Sequence, residues 1–203
     1  MTPEARVAAA IDILDAALDG ASAEQTLTTW GRKHRFAGSG DRAAIRDHVF
    51  DALRRLRSSE WSGGGRSGRR VMIGLLRNRG LDPETVFTGS GHAPALLSEE
   101  ERETPPPLDD APAAVRQDVQ DWVLPRLEAS LGAKTPAVLT ALRDRAPVVL
   151  RINAARTDRD AAAAMLAADG IDTRPHALSG TALEVTGNAR RVQLSAPYRD
   201  GLV

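Results

Sequence analysis

The feature that most constrains how this chain folds is an apolar stretch in its C-terminal third, at residues 147–152. Pro147 opens a run rich in β-branched side chains, which favours a β-strand, and proline is tolerated at the first position of a strand. Side chains alternate across a strand, so Val148, Leu150 and Ile152 share one face. Val149, Arg151 and Asn153 share the other face. The pattern therefore predicts one face buried in a core and one face that carries an arginine and an asparagine.

The residues after this strand predict a small mixed domain. Thr157 is placed to cap a helix that ends at Gly170, and short strands are expected at residues 173–178, at residues 182–185 and near residues 191–194. A strand, a helix and then closely spaced short strands are typical of an α+β domain of the βαββ type.

The rest of the chain is patterned for helices. Thr2, Ser22 and Asp41 are each placed to cap one of the first three helices, and apolar residues follow at helical spacing. Residues 61–65 include three consecutive glycines and are predicted as a flexible connection, because they lack the GxxxxGK[ST] and GxGxxG phosphate-binding patterns. The predicted fold class is therefore mainly α, with an all-helical N-terminal domain followed by helices and a small α+β domain.

Prolines mark the expected division of the chain. Residues 104–108 contain three consecutive prolines, which favour a stiff, extended spacer. We therefore predict a helical domain at residues 1–104, a spacer with connecting helices at residues 105–145, and the small α+β domain at residues 146–203. Within the middle segment, Pro125 is expected to kink a helix.

The charge of the chain is segregated, although its formal net charge is zero. Residues 31–80 hold 13 basic and 4 acidic side chains, a local net charge of +9, whereas residues 98–130 hold 3 basic and 9 acidic side chains, a local net charge of −6. Such segregation suggests a directed basic surface. The arginines assigned to it are Arg46, Arg54, Arg55, Arg57, Arg66, Arg69, Arg70 and Arg77. Two alternatives stay open: their stems pack on apolar surface, or the basic segment meets an acidic partner such as residues 98–130.

The sequence offers no recognisable catalytic equipment. It has no cysteine, which excludes disulfides and thiol nucleophiles in this chain, and its four histidines lack metal-ligand spacing. The acids at residues 99–101 and 109–110 lie beside the proline spacer and are interpreted as solvated charge. We find no signal peptide and no apolar stretch of membrane-spanning length, so the expected location is the cytoplasm.

Several segments together resemble a known family. Asp121-Trp122 and Leu131-Gly132 precede residues 146–153, APVVLRIN, and residues 198–203, YRDGLV, close the chain. With the helical segment that begins Asp41-Arg42-Ala43, these residues resemble bacterial small-subunit rRNA cytosine-5 methyltransferases of the Fmu/Sun type.

The resemblance implies a NusB-like RNA-binding helical domain, followed by a small domain that leads into a catalytic domain beyond these residues. It implies small-subunit rRNA as the partner of a monomer that also contacts the methyltransferase domain intramolecularly. S-adenosylmethionine would bind that catalytic domain, so we expect no cofactor, metal or catalytic residue in this chain. The candidate RNA-binding residues are then the eight arginines named above, with Arg151 and Asn153. The alternative is a protein-interaction or scaffold domain that binds no nucleic acid.

Overall fold

The computed structural model describes all 203 residues and divides them into two units, residues 1–144 and residues 145–203. The first unit is helical. Its helices are α1 (Pro3–Leu18), α2 (Ala23–Lys33), α3 (Ser39–Arg54), α4 (Leu56–Gly63), α5 (Gly68–Asn78), α6 (Glu99–Arg102), α7 (Ala113–Arg116), α8 (Leu124–Leu131) and α9 (Thr135–Leu142), with short 3-10 turns at Pro83–Thr85, Leu108–Asp110 and Gly132–Lys134.

The second unit is a small α+β structure. It contains strands β1 (Val148–Arg151), β2 (Thr173–Pro175) and β3 (Ala182–Val185), helices α10 (Arg159–Ala168) and α11 (Ala196–Arg199), and a 3-10 helix at Ala189–Leu194. The predicted fold class, mainly α with a small α+β part, is confirmed. None of the helices combines the length and apolar character needed to span a membrane.

The helix starts show how far local signals determine the first unit. The hydroxyl of Thr2 accepts the Ala5 N–H at 3.2 Å, so α1 begins where the capping signal places it. The prediction for α3 was wrong by three residues, because Gly38 is the cap and the helix begins at Ser39. Asp41 therefore lies inside the first turn, where its carboxylate accepts the Gly38 N–H at 3.1 Å.

The predicted flexible connection at residues 61–65 is wrong, because Trp61 and the two residues after it form the last turn of α4. The reason is a close crossing of α4 and α5. A Cβ atom added at Gly74 would lie 1.9 Å from the carbonyl oxygen of Ser59, and one added at Gly63 would lie 1.9 Å from that of Arg70. Glycine at both positions lets the two helix backbones touch.

The core of the helical unit lies mainly between α1, α3 and α5, which contribute most of its buried side chains. Leu14, Ile45 and Val49 are fully buried, and so are Val71 and Ile73. These residues recur at helical spacing, which is why the sequence pattern identifies the apolar faces correctly.

Residues 105–144 pack within the helical unit. The Trp61 indole N–H donates to the carbonyl oxygen of Pro106 at 3.1 Å, and the Ser58 N–H donates to the Asp118 carboxylate at 2.8 Å. Pro125 lies in the first turn of α8, where its missing N–H costs nothing, so the predicted kink is wrong.

The sheet of the second unit is antiparallel with strand order β1-β3-β2. Leu150 pairs with Leu183 on the buried face, while Val149 pairs with Glu184 on the other face. The predicted alternation along β1 is thus confirmed, since Ile152 is also buried and Val149 is 43% exposed.

Two local predictions for this unit were wrong. Asp158 rather than Thr157 caps α10, by accepting the Ala161 N–H at 2.8 Å. The expected last strand near residues 191–194 is a 3-10 helix, which buries Val192 against the sheet core and follows the left-handed backbone of Asn188.

Candidate nucleic-acid interface

The predicted basic surface contains two carboxylate-centred clusters, the first of them around Glu101. Arg69 donates from Nε and Nη2 to the two oxygens of Glu101, at 2.8 and 2.7 Å. Its guanidinium also donates to the carbonyl oxygens of Ala95 and Leu96, at 3.0 and 2.9 Å, and lies 4.7 Å from the centre of the Phe87 ring. These contacts hold in place both the backbone at Ala95 and Leu96, before α6, and the Glu101 carboxylate within α6.

Glu101 is an interior carboxylate. It is only 6% exposed, and it also closes the capping box of α6 by accepting the Ser98 N–H at 3.0 Å. The hydrogen bonds from Arg69 lower the pKa of Glu101 from 4.5 to about 2, against the opposing effect of burial. The interpretation of residues 99–101 as solvated charge is therefore wrong for Glu101.

Arg70 and Arg77 hold the same segment from a second side. Arg70 contacts the carboxylate of Glu100 at 2.8 Å. Arg77 donates to the carbonyl oxygens of Glu101 and Glu103, the latter at 3.2 Å, and to that of Ser62 at 2.8 Å. Carbonyl oxygens as well as carboxylates thus engage these guanidinium groups.

The second cluster joins α3 and α4 to the last part of the helical unit. Arg57 makes a two-pronged contact with Asp121, at 3.1 and 3.0 Å. Arg54 and Arg55 both donate to the carbonyl oxygen of Arg143, at 3.0 and 2.8 Å, and Arg55 also contacts Asp144 at 2.9 Å. These contacts join residues that are 64 to 89 positions apart in the chain.

Arg46 and Arg66 are the more exposed members of the predicted set. Arg46 contacts Glu24 at 2.6 Å with 40% of its side chain exposed, and Arg66 contacts Glu60 at 3.4 Å with 65% exposed. Their ion pairs are of the surface type, which contributes little to stability.

The structure therefore gives six of the eight arginines an internal role, and four of the six, all but Arg54 and Arg55, have partners in residues 98–130. The contacts of Arg57, Arg69 and Arg70 show that the basic segment meets residues 98–130 of the same chain. This is the second of the two alternatives left open by the sequence, in its intramolecular form. The proposed binding of these arginines to RNA stays a prediction.

A basic group that the sequence analysis did not select lies at the end of α2. Arg32, Lys33 and Arg35 are exposed, and no hydrogen bond or ion pair within the protein engages their side chains. They alternate with aromatic rings, since Trp30 stacks on His34 with ring centres 4.4 Å apart. The sequence signal for this group is the interleaving of cations and rings in WGRKHRF, which is less conspicuous than the denser arginines further along the chain.

The two predicted residues of the second unit behave differently from each other. The Arg151 side chain is exposed on the polar face of β1, and nothing within the protein engages it. Asn153 donates from its side-chain amide to the Gly201 carbonyl at 3.1 Å, and its own carbonyl accepts the N–H groups of Arg156 and Thr157, at 2.9 and 3.1 Å. Asn153 thus positions the turn before α10, and its binding to RNA stays a prediction.

The same unit brings three arginines to one cleft. Arg145, Arg190 and Arg191 line a space of about 510 Å³ next to the start of β1 and the end of β3. Asn188 shapes its wall, because its amide donates to the Gly170 carbonyl at 2.8 Å. Each unit therefore carries a basic surface of its own.

Together these features define a class of chain: a helical unit with a basic, aromatic edge, followed by a small antiparallel α+β unit with basic faces. Residues 120–192 match the family model described as Methyltr_RsmF/B-like, ferredoxin-like domain. The matched segment includes Asp121-Trp122, Leu131-Gly132 and residues 146–153, which carry much of the resemblance seen in the sequence. Over these residues the resemblance to the Fmu/Sun type is confirmed.

Comparison with solved structures gives a likeness to the crystal structure of PH0851. The two superimpose with a TM-score of 0.61 at 14% sequence identity, and the alignment covers 100% of this chain and 52% of that one. At this identity the likeness shows the fold alone. The chain spans about half the length of PH0851, and no curated protein matches it.

Proposed function

We propose that this chain recognises small-subunit ribosomal RNA as the non-catalytic N-terminal part of an S-adenosylmethionine-dependent rRNA cytosine-5 methyltransferase. The observation that carries the proposal is the family match at residues 120–192, whose model is named for RsmF/B-like methyltransferases. In this proposal the protein is a cytoplasmic monomer, its helical unit is the NusB-like RNA-binding domain, and methyl transfer belongs to a further domain of the whole enzyme.

The distribution of engaged and unengaged cations supports a specific form of this proposal. Arginines that already donate to protein carbonyls and carboxylates have few donors left for phosphate, because the guanidinium has five N–H groups in all. Arg32, Lys33 and Arg35 retain theirs, and so does Arg151. These side chains are the first ones we expect to contact the RNA backbone.

Reversing the charge of Arg32, Lys33 and Arg35 together, to glutamate, should weaken binding to a small-subunit rRNA fragment by roughly tenfold or more. The slope of log affinity against log salt should become shallower by about 2, since each lost phosphate contact removes roughly 0.7 to 0.9. Fluorescence anisotropy with labelled RNA at several salt concentrations measures both quantities.

A matched control reverses three other exposed cations of the same unit, Arg102, Arg126 and Lys134, to glutamate. It changes the net charge equally, so an equal loss of affinity would mean that only bulk charge matters. The RNA function would be refuted if the unaltered chain does not bind RNA, or if its binding does not depend on salt. Either result would favour the protein-interaction alternative. The observation that supports this alternative is that acidic groups of the same chain already neutralise much of the basic segment.

In the second unit, Arg151→Ala should leave the melting temperature within about 2 °C of the original, because an exposed, unpaired side chain contributes little to stability. It should weaken rRNA binding severalfold if Arg151 contacts phosphate. Arg174→Ala is the control, since Arg174 lies on the same face but donates to Glu184 at 3.1 and 2.8 Å. Unfolding of the Arg151→Ala protein would assign that residue to the core instead.

A further inference from the structure

A cleft lies beside the end of α2, where Trp30, His34 and Phe36 contribute to its lining. It has a volume of about 870 Å³ and lies between the first half of α1, the end of α2 and the loop at residues 88–93. The loop is held by two backbone hydrogen bonds, from Gly89 to the Pro94 carbonyl and from Ala93 to the Ser90 carbonyl, both at 2.9 Å. Gly89 and Gly91 have φ values of +66° and +58°, which lets this wall turn tightly.

One wall of the cleft is a group of three rings, Trp30, His34 and Phe36. The Trp30 and His34 rings are nearly parallel, with an angle of 17° between their planes, and Phe36 meets His34 edge-on with ring centres 5.7 Å apart. Phe36 is 74% exposed, which is unusual for a large apolar ring in a chain whose aromatic content is only 3%. An exposed ring beside a cleft is a surface on which a flat ligand can stack.

The cleft also presents hydrogen-bonding groups of a definite kind. His34 donates from Nδ1 to the Trp30 carbonyl at 2.8 Å, so in the neutral ring Nε2 is left as an acceptor. No hydrogen bond engages the carboxylate of Asp12, which lines the cleft from α1. Partial burial, with the nearby charge of Asp15, raises the pKa of Asp12, and His34 opposes this effect. A carboxylate only accepts hydrogen bonds, so it favours a ligand that presents an N–H group.

The basic residues Arg32, Lys33 and Arg35 alternate in the chain with the rings. Rings that take a base, next to cations that take the phosphates on either side of it, are the combination by which proteins hold single-stranded RNA.

We propose that this cleft binds a single unpaired RNA base that bears an exocyclic amino group, stacked on the exposed ring of Phe36 and donating to the carboxylate of Asp12, with Trp30 and His34 as the adjoining wall. The inference rests on the proposed function and specifies which kind of RNA the helical unit recognises. Cytosine, adenine and guanine have such an amino group, whereas uracil has a carbonyl oxygen at the position of the cytosine amino group, and a carboxylate repels that oxygen.

The test compares unstructured oligocytidine and oligouridine of equal length, by fluorescence anisotropy with the intact chain. We expect the cytidine oligomer to bind about tenfold more tightly, in line with one well-placed hydrogen bond to a charged group. Phe36→Ala should weaken both oligomers about tenfold through loss of stacking. Asp12→Asn should bring the two affinities close together, because an amide both donates and accepts.

Leu81→Ala is the control, because it removes an exposed apolar side chain of the same unit, 52% exposed, away from the cleft. Equal affinity for the two oligomers, or unchanged affinity after Phe36→Ala, would overturn the cleft assignment. If rRNA then still binds with steep salt dependence, the proposed function stands without this site. If no RNA of any kind binds, both fail.

Discussion

Replacing Gly74 by alanine is expected to destabilise the protein by about 3 kcal/mol or more, although alanine is the better helix former by about 1 kcal/mol. The added methyl group would lie 1.9 Å from the Ser59 carbonyl oxygen and 2.7 Å from the Gly63 nitrogen, which are backbone atoms and cannot rotate away. Helices α4 and α5 would have to separate, and the core that α5 shares with α1 would loosen with them. Denaturant unfolding, followed by circular dichroism, measures the loss.

Gly40→Ala is the control for this prediction. Gly40 also lies in a helix, α3, but nothing is within 4 Å of a Cβ atom placed there. The substitution should be neutral or stabilise the protein by up to about 1 kcal/mol. If both alanine variants have the same stability, the close crossing of α4 and α5 does not limit the fold.

Glu101→Gln is expected to cost about 3 kcal/mol at neutral pH, because it leaves Arg69 without its carboxylate partner in a largely buried site. The pKa of Glu101 falls from 4.5 to about 2 on folding, so its carboxylate stabilises the folded state fully above pH 4.5. That contribution is lost as the pH falls from about 4.5 towards 2, where the folded state also takes up the proton. The difference between the two proteins should shrink over this range.

Glu99→Gln is the matched variant, in the same short helix but with an exposed side chain that no partner engages. It should change stability by less than about 1 kcal/mol, through the helix dipole alone. Chemical denaturation at pH 7, 4.5 and 3 separates the two cases. A difference between Glu101→Gln and the unaltered protein that does not depend on pH would show that the lost carboxylate charge is not the cause.

The sequence predicted those parts of the fold that depend on neighbours in the chain. The cap at Thr2 and the alternation along β1 both follow from residues within a few positions of each other. The end of α4 did not, because Gly63 is explained only by the backbone of α5, whose Arg70 carbonyl oxygen lies against it. A glycine run has the same local signature in a linker and in a close helix crossing.

The candidate site was harder to predict for the same reason. The sequence does not show whether a helical arginine faces water or donates to a distant carbonyl oxygen. Arg54, for example, donates to a carbonyl 89 positions away. Reversing the charge of Arg54, Arg55, Arg69 and Arg70 would remove their internal contacts and is therefore expected to cost stability. The sequence does not predict how Trp30, His34 and Phe36 are arranged, because their arrangement depends on the geometry at the end of α2.

The arginine contacts between α3, α4 and residues 118–144 have a consequence for the order of events during synthesis. Arg57 meets Asp121 only 64 positions later in the chain, and Arg54 and Arg55 meet the Arg143 carbonyl and Asp144 about 90 positions later. On the ribosome the first five helices would therefore emerge without these contacts, and we expect the helical unit to reach full stability only when α9 has left the exit tunnel. For the same reason, a protein shortened at the proline spacer would keep its apolar core but lose these contacts, and Arg54 and Arg55 would keep only the nearby carboxylate of Asp51.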